Sequence, residues 1–288
     1  MGLSKTEIVN YNGKYLQRPN QALIPCFVKV IYSSFINLNC PTDGGALFIK
    51  HRYNGAKIEV IRSSFYKCET KITGGAIFFL GQESLMKENS FAYCYAHNHY
   101  HSVRITLEPQ EIYLNHFNDS LSVYCSERNW GCYNVGLIFG QIHSKGFNGT
   151  KNIAKWQASN MFMMSSRGYD SIWEYSNSVE TCGHYSNYFN GQKKLYILFC
   201  NFIGIYDSDR RYGLIRTYSI TEIRNCAFMK NKVTLISCLR ALTEVFDCVI
   251  DHPQLSYENV KFDSSVSFNQ KDETTVMLRF NHASVIKE

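Results

Sequence analysis

The chain has 288 residues, of which 15% are aromatic and only 19% charged, with a formal net charge of +6. That charge gathers in no basic run, which argues against the stripe or patch by which a nucleic-acid binder is recognised. The longest apolar run, Leu195 to Tyr206, is 12 residues and contains Asn201, well short of the ~20 residues of a membrane-spanning helix.

Residues 1–24 are expected to form an N-terminal cap. Met1 to Pro19 is polar and lacks the apolar core of a secretory signal. Met1-Gly2-Leu3-Ser4-Lys5-Thr6 fits the N-myristoylation pattern, which makes Gly2 a candidate lipidation residue. From residue 25 to 288 a single continuous domain is expected, because only five Pro are present and no Ser/Gly-rich or charge-block stretch divides the chain.

The repeat begins at once. Ser33-Ser34-Phe35 and Gly44-Gly45-Ala46-Leu47 recur 30 residues later as Ser63-Ser64-Phe65 and Gly74-Gly75-Ala76-Ile77. A period of this size marks a stacked repeat architecture. With Phe as the marker, the series runs Phe35, Phe65, Phe91, Phe117, Phe147, in steps of 30, 26, 26 and 30. It returns as Cys200-Asn201-Phe202, Cys226-Ala227-Phe228 and Cys248-Val249-Ile250, and the spacing is lost between about 150 and 195.

The segments around the markers are short, rich in Val, Ile, Phe and Tyr, and bounded by Gly, Asn, Asp and Ser. That is the grammar of strands and turns, and no helical stripe runs over a dozen residues. The expected fold is therefore all-β: a right-handed parallel β-helix, a pectin-lyase-like solenoid, of roughly ten coils stacked at about 4.8 Å. A helical solenoid is the alternative. Gly44, Gly45, Gly74 and Gly75 fit the corners, where positive φ and close packing favour glycine. Of the 11 cysteines, Cys40, Cys68, Cys94, Cys200, Cys226 and Cys248 sit one per coil near marker strands. They are expected to stack as a ladder of small buried thiols, with a disulfide framework as the alternative. Cys125 and Cys132 are the expected pair if the protein is exported; the sequons Asn118-Asp119-Ser120 and Asn148-Gly149-Thr150 would be glycosylated only on that route.

The Gly-Gly-Ala-Leu/Ile corners resemble the repeats of the polymorphic outer membrane protein family. Cys226-Ala227-Phe228-Met229-Lys230-Asn231 is similar both to that family's Phe-x-x-Asn form and to the Cys-x-Phe strands of trichomonad β-helical surface proteins. The resemblance implies a right-handed β-helix displayed at a cell surface or outside the cell, often as an adhesin. The chain departs from it in showing no leader and no C-terminal barrel or anchor.

Candidate chemistry is sparse. Asp207 and Asp209, followed by Arg210 and Arg211, bring two acids and two bases into five residues; paired carboxylates are what glycoside hydrolysis requires. The competing reading is a solvated turn. Asp247 and Asp251 form a second pair. His97, His99 and His101 alternate, so an extended backbone would place three imidazoles on one face, a facial metal site. By position they replace the glycine corner of the previous coil, which reads as an exposed turn. Phosphate-loop, dinucleotide, nucleophile-elbow and His-Glu-x-x-His motifs do not occur. No cofactor is expected. The leading functional expectation is a non-enzymatic structural or interaction protein, a surface-type adhesin or binding scaffold whose partner is a glycan or a protein. The alternatives are a carbohydrate-active β-helix enzyme, a polysaccharide lyase or hydrolase, and a degenerate member or fragment of a repeat family.

Overall fold

A computed structural model describes residues 7–15, 26–50, 55–108, 113–127, 133–166, 168–191, 193–206, 213–238, 241–251 and 259–268. These form strands and turns, and every strand pair is parallel. The strands coil into a right-handed parallel β-helix of about eight turns, close to the roughly ten expected. Each turn visits a large sheet twice and returns through a nine-stranded sheet; in the N-terminal turns a short strand lies between the two, as in Asn39–Cys40, Glu69–Thr70 and Tyr95–Ala96.

The two passes through the large sheet meet at a sharp corner. The first pass holds strands such as Lys57–Ile61, Glu83–Lys87 and Leu114–Asn118; the second holds Ser64–Tyr66, Ser90–Ala92 and Leu121–Val123. Between them one residue per turn is left-handed: Arg62 (φ 48°), Glu88 (55°), Asp119 (46°), Tyr175 (50°), Asn225 (52°), Asp247 (50°). A second left-handed column, Lys67, Tyr93, Tyr124, Lys151 and Glu180, ends the second pass. A non-glycine residue there costs about 1–2 kcal/mol. Except after Gly146, where Phe147 follows, the residue after the first corner offsets much of it. Its short side chain turns inward and accepts the amide of the coil before: Ser33 N to Ser63 Oγ (3.2 Å), Ser63 N to Asn89 Oδ1 (3.0 Å), Phe147 N to Ser176 Oγ (3.1 Å). A hydrogen bond of this kind contributes about 0.5–1.5 kcal/mol.

The cysteines occupy these same positions. Cys200, Cys226 and Cys248 follow the first corner, while Cys68, Cys94 and Cys125 follow the second. They form two ladders on two corners rather than one, and Cys40 lies apart in the short strand Asn39–Cys40. All of these are free thiols among the described residues. They act as polar links: Cys200 N donates to Cys226 Sγ (3.3 Å), and Cys94 N to Cys125 Sγ (3.3 Å). Cys125 is thus spent inside the ladder, and Cys132 lies outside the described residues. Burial pushes the thiols of Cys94, Cys125 and Cys226 well above the ordinary range.

Phe35, Phe65 and Phe91 stack in one column at centroid spacings of 4.8 and 5.0 Å; each such pair adds about 0.5–1.5 kcal/mol beyond its burial. The rings continue through Phe117, stacked on Phe91 at 6.3 Å, to Phe147 at 5.5 Å, but by strand register Phe117 is not in the same column. In register, Phe91 is followed by Ser122, Gly149 and Ser178 before Phe202 and Phe228 resume it. Phe117 belongs to the first pass, paired with Met86 and Ser144, and Phe147 enters from the corner after Gly146. The small residues make room for a polar seam in the interior. Asn134 joins Ser102 (2.7 Å) to Ser122 (2.8 Å), and Asn160 donates to Ser178 Oγ at 2.6 Å. A Cβ on Gly149 would collide with the Asn160 amide. In this part of the chain the short strand and the nine-stranded sheet fuse into the long strands Ile153–Met164 and Cys182–Asn190, which are irregular at Ala158.

The Gly-Gly-Ala corner opens the nine-stranded sheet. Gly44 and Gly74 have φ of 63° and 69°, and a Cβ on Gly75 would run into the His101 and Tyr95 carbonyls. At the N-terminal end, Glu7–Tyr15 pairs in parallel with Cys26–Ile36.

Candidate functional site

The outward side chains of the two sheets differ in kind. On the large sheet, charges alternate from rung to rung and pair: Lys29 with Glu59 (3.5 Å), Lys57 with Glu83, Lys194 with Glu222 (2.7 Å), and Glu222 in turn with Arg224. His143 and Lys145 share Glu174 at 3.1 and 3.8 Å. At the corners Arg62 pairs with Glu88 and Lys151 with Glu180. Asn148, Asn177 and Asn201 form an amide ladder on the second pass, with Asn201 Nδ2 donating to Asn177 Oδ1 at 2.7 Å. The second sequon therefore lies within a strand.

The nine-stranded sheet has no such ladder. Its eight axial strands are Leu47–Lys50, Ile77–Gly81, Val103–Leu107, Val135–Ile138, Ile153–Met164, Cys182–Asn190, Ile215–Thr217 and Ile236–Cys238. None contains Asp or Glu. One outward column runs, in register, Phe48, Phe78, Arg104, Gly136, Phe162, Tyr188, Arg216. Gly136 leaves room for the Tyr100 ring against the sheet, since any Cβ there would strike the ring. Tyr100 reaches that place because it adopts φ 58°, the left-handed position that Gly44 and Gly74 hold in earlier coils. The rings then form a continuous row: Tyr100 to Tyr133 (5.1 Å), Tyr133 to Phe162 (4.3 Å), Phe162 to Tyr188 (5.2 Å), Tyr188 to Tyr185 (5.3 Å).

An arginine stands toward each end of this row. Arg104 lies over Phe78 and Tyr100, both at 5.3 Å, and makes no ion pair among the described residues; its Nε is buried without a partner. Arg216 is ringed by Tyr185, Tyr188 and Tyr218, and its Nη2 donates to Tyr218 Oη at 2.8 Å. Burial, together with Tyr218, raises the Tyr188 phenol above its usual range, so it remains a neutral hydroxyl.

The three histidines do not share a face. His101 is fully buried, with Nδ1 3.1 Å from the Ala96 carbonyl, and burial lowers its pKa to about 4. His97 and His99 stay outside, His97 against Tyr95 Oη at 3.0 Å. His99 sits beside the aromatic row, its pKa lowered by burial and then by Arg104. The alternation fails as a metal predictor because Tyr100 breaks the extended backbone between them. Among the described residues no group of three His, Cys, Asp or Glu side chains is placed to hold a metal.

Asp247 is itself a left-handed corner residue 3.9 Å from Arg224, and Asp251 accepts the Lys230 amide at the next corner. Each carboxylate thus serves its own turn. Asp207, Asp209, Arg210, Arg211 and Gly2 lie outside the described residues. No described helix is long and apolar enough to cross a membrane.

Sequence reasoning missed the aromatic row. Its five rings come from four different segments, and only the register of the coils brings them together. The available signal was the absence of acidic residues from every strand that follows the Gly-Gly-Ala corner.

No protein-family model, no curated protein and no solved structure matches this chain.

Proposed function

We propose that the protein is a non-enzymatic β-helical binding scaffold of the surface-adhesin type, and that it holds its partner on the outer wall of the nine-stranded sheet. The observation that carries this reading is the contrast in charge pairing. The large sheet pairs most of its outward charges internally, while the opposite wall joins a row of aromatic rings to an arginine, Arg104, that has no ion-pair partner among the described residues. Aromatic residues and arginine are the side chains most enriched at the centres of recognition surfaces. A rigid coil also keeps such a wall preorganised, which lowers the cost of binding. The Gly-Gly-Ala corners and the Cys-x-Phe strands support kinship with the polymorphic outer membrane protein repeats, and surface display follows from that kinship.

An array of surface glycans and glycoproteins, probed with the chain and with a Tyr133→Ser/Tyr188→Ser variant, tests the reading. It expects ligands that the chain retains and the variant loses while far-ultraviolet dichroism shows the variant still folded. Retention that ignores the wall, or conversion of any glycan to shorter products, contradicts it.

A further inference from the structure

We infer that His116 and His143 form a zinc site on the large sheet, each ring giving one nitrogen to the ion, with Glu83 and Glu174 standing behind the rings. The site lies on the other wall from the aromatic row, so its success or failure leaves the reading of that row untouched.

The first argument is placement. Leu114–Asn118 and Gln141–Lys145 pair in parallel with His116 directly opposite His143, and strand alternation turns both rings outward. Several facing positions on this wall set opposite charges together, as Lys29 faces Glu59 and Lys57 faces Glu83. Here two identical side chains meet instead, with ring centres 5.8 Å apart and planes inclined by 54°. Two imidazoles offer each other no opposite charge, and protonation of both sets cation against cation. An ion held between their two lone pairs removes that liability.

The second argument is distance. Zinc holds an imidazole nitrogen at about 2.0–2.1 Å, so each ring centre lies about 3.2 Å from the ion, and a tetrahedral angle puts two ring centres about 5.3 Å apart. The observed 5.8 Å lies within a small side-chain rotation of that span. Both side chains are partly exposed, His143 at 34%. An ion therefore arrives from solvent without opening the coil.

The third argument is the hydrogen bonding of the rings. His143 Nε2 lies 3.1 Å from Glu174 Oε1. A carboxylate only accepts, so Nε2 carries the proton and Nδ1 of the neutral ring keeps its lone pair for a metal. A carboxylate behind the ring in this way fixes the tautomer of a zinc-binding histidine and raises its basicity. His116 makes no hydrogen bond among the described residues, and Glu83, one rung back, lies near enough for its charge to act on the ring. Lys57 and Lys145 share these carboxylates, Lys57 with Glu83 and Lys145 with Glu174 at 3.8 Å. Their charge opposes a cation and keeps the affinity modest.

Two protein ligands are fewer than the three of a catalytic zinc site and the four of a structural one. This agrees with the absence of a three-residue cluster among the described residues. The ion keeps two positions for water or for a donor carried by another molecule.

Calorimetry with zinc chloride alone, on the full chain, tests the inference. One ion per chain is expected. His116→Gln and His143→Gln should each weaken its binding at least about tenfold. Glu174→Gln removes no ligand and keeps an acceptor for His143, yet should weaken binding by roughly 10-fold through the lost carboxylate. His97→Gln and His99→Gln should change nothing, and far-ultraviolet dichroism should find every variant folded. Proton resonance should show the ring signals of His116 and His143 shifting together as zinc is added. Absence of binding overturns the site, as does binding that survives both His116→Gln and His143→Gln or disappears in His99→Gln. Two ions per chain, each lost with a different one of the two histidines, overturn the shared ion.

Discussion

The two walls of this rod share one backbone geometry and differ in what they do with charge. On the large sheet, outward residues answer one another from coil to coil: Lys29 with Glu59, Lys57 with Glu83, Lys194 with Glu222. On the nine-stranded sheet the corresponding positions hold Phe48, Phe78, Arg104, Phe162, Tyr188 and Arg216. Stacking alone demands neither pattern, because outward side chains are not needed to close the core. The core requires only the inward columns, such as Phe35, Phe65 and Phe91. On the nine-stranded sheet the rings do answer one another, closing a small hydrophobic cluster around Tyr100, Ile138 and Phe162. The group left unanswered is Arg104, which has no ion-pair partner among the described residues, and it reports on something outside the fold. That is why the aromatic wall, and not the charged one, is read as the working surface.

The comparison breaks most severely when the shared core is cut. Phe65 stacks between Phe35 and Phe91 and is fully buried, so Phe65→Ala should cost about 3–5 kcal/mol. Urea unfolding should show one transition at a lower midpoint, with tyrosine fluorescence from the aromatic wall and far-ultraviolet dichroism moving together. Separate transitions would mean that the walls do not share a core. A smaller change touches one wall only. Gly136→Val drives a side chain into the space of the Tyr100 ring; the expected cost is about 1–3 kcal/mol, with Tyr100 displaced. Ligand binding should fall while proteolysis at the large sheet stays unchanged.

On the charged wall the effects are weaker. Glu222 holds both Lys194 and Arg224, and its partly exposed setting limits Glu222→Gln to about 1 kcal/mol or less, reduced further by salt. Its pH dependence has a definite sign. Burial raises the Glu222 pKa, the hydrogen bonds from Lys194 and Arg224 lower it more, and the net shift is downward; Glu88 is lowered chiefly by Arg62. A depressed carboxylate stabilises the fold fully above its unfolded pKa of about 4.5 and loses that contribution as pH falls through the folded value. Acid titration of stability should therefore show a loss below pH ~4.5, shallower in Glu222→Gln. The smallest effect is spectroscopic. His99 titrates below its ordinary 6.5 because of burial and, secondarily, Arg104. Proton resonance should find its pKa higher in Arg104→Gln; no change would remove the electrostatic coupling between them.

Much of the scaffold was legible in the sequence. The 30-residue echo of Ser-Ser-Phe and Gly-Gly-Ala identified coil and corner, because glycines at positive φ and stacked phenylalanines recur wherever the geometry recurs. The reading failed where different residues meet the same need. Ser33, Ser63, Asn89, Ser176 and Cys226 all follow the first corner, interchangeable because the position asks only for a short side chain that turns inward. The Phe marker crossed to another pass at Phe117 because Ser122, Gly149 and Ser178 had given the column's volume to the polar seam. The aromatic wall was least legible, since it depends on register between coils and on Tyr100 taking a glycine's conformation. The three histidines looked like a site for the same reason: the strand alternation they suggest ends at Tyr100.

A matched pair of charge reversals tests the central claim most directly. Arg104→Glu on the aromatic wall and Lys57→Glu on the charged wall change net charge equally and lie in the same part of the rod. Binding of each, at one fixed ionic strength, to an immobilised ligand that the surface glycan and glycoprotein array retains is then compared with that of the unaltered chain. The account predicts a loss of at least about tenfold for Arg104→Glu and a change within about twofold for Lys57→Glu. Equal losses from the two walls would contradict it, because attraction would then follow the overall charge of the rod and not the wall that carries Arg104.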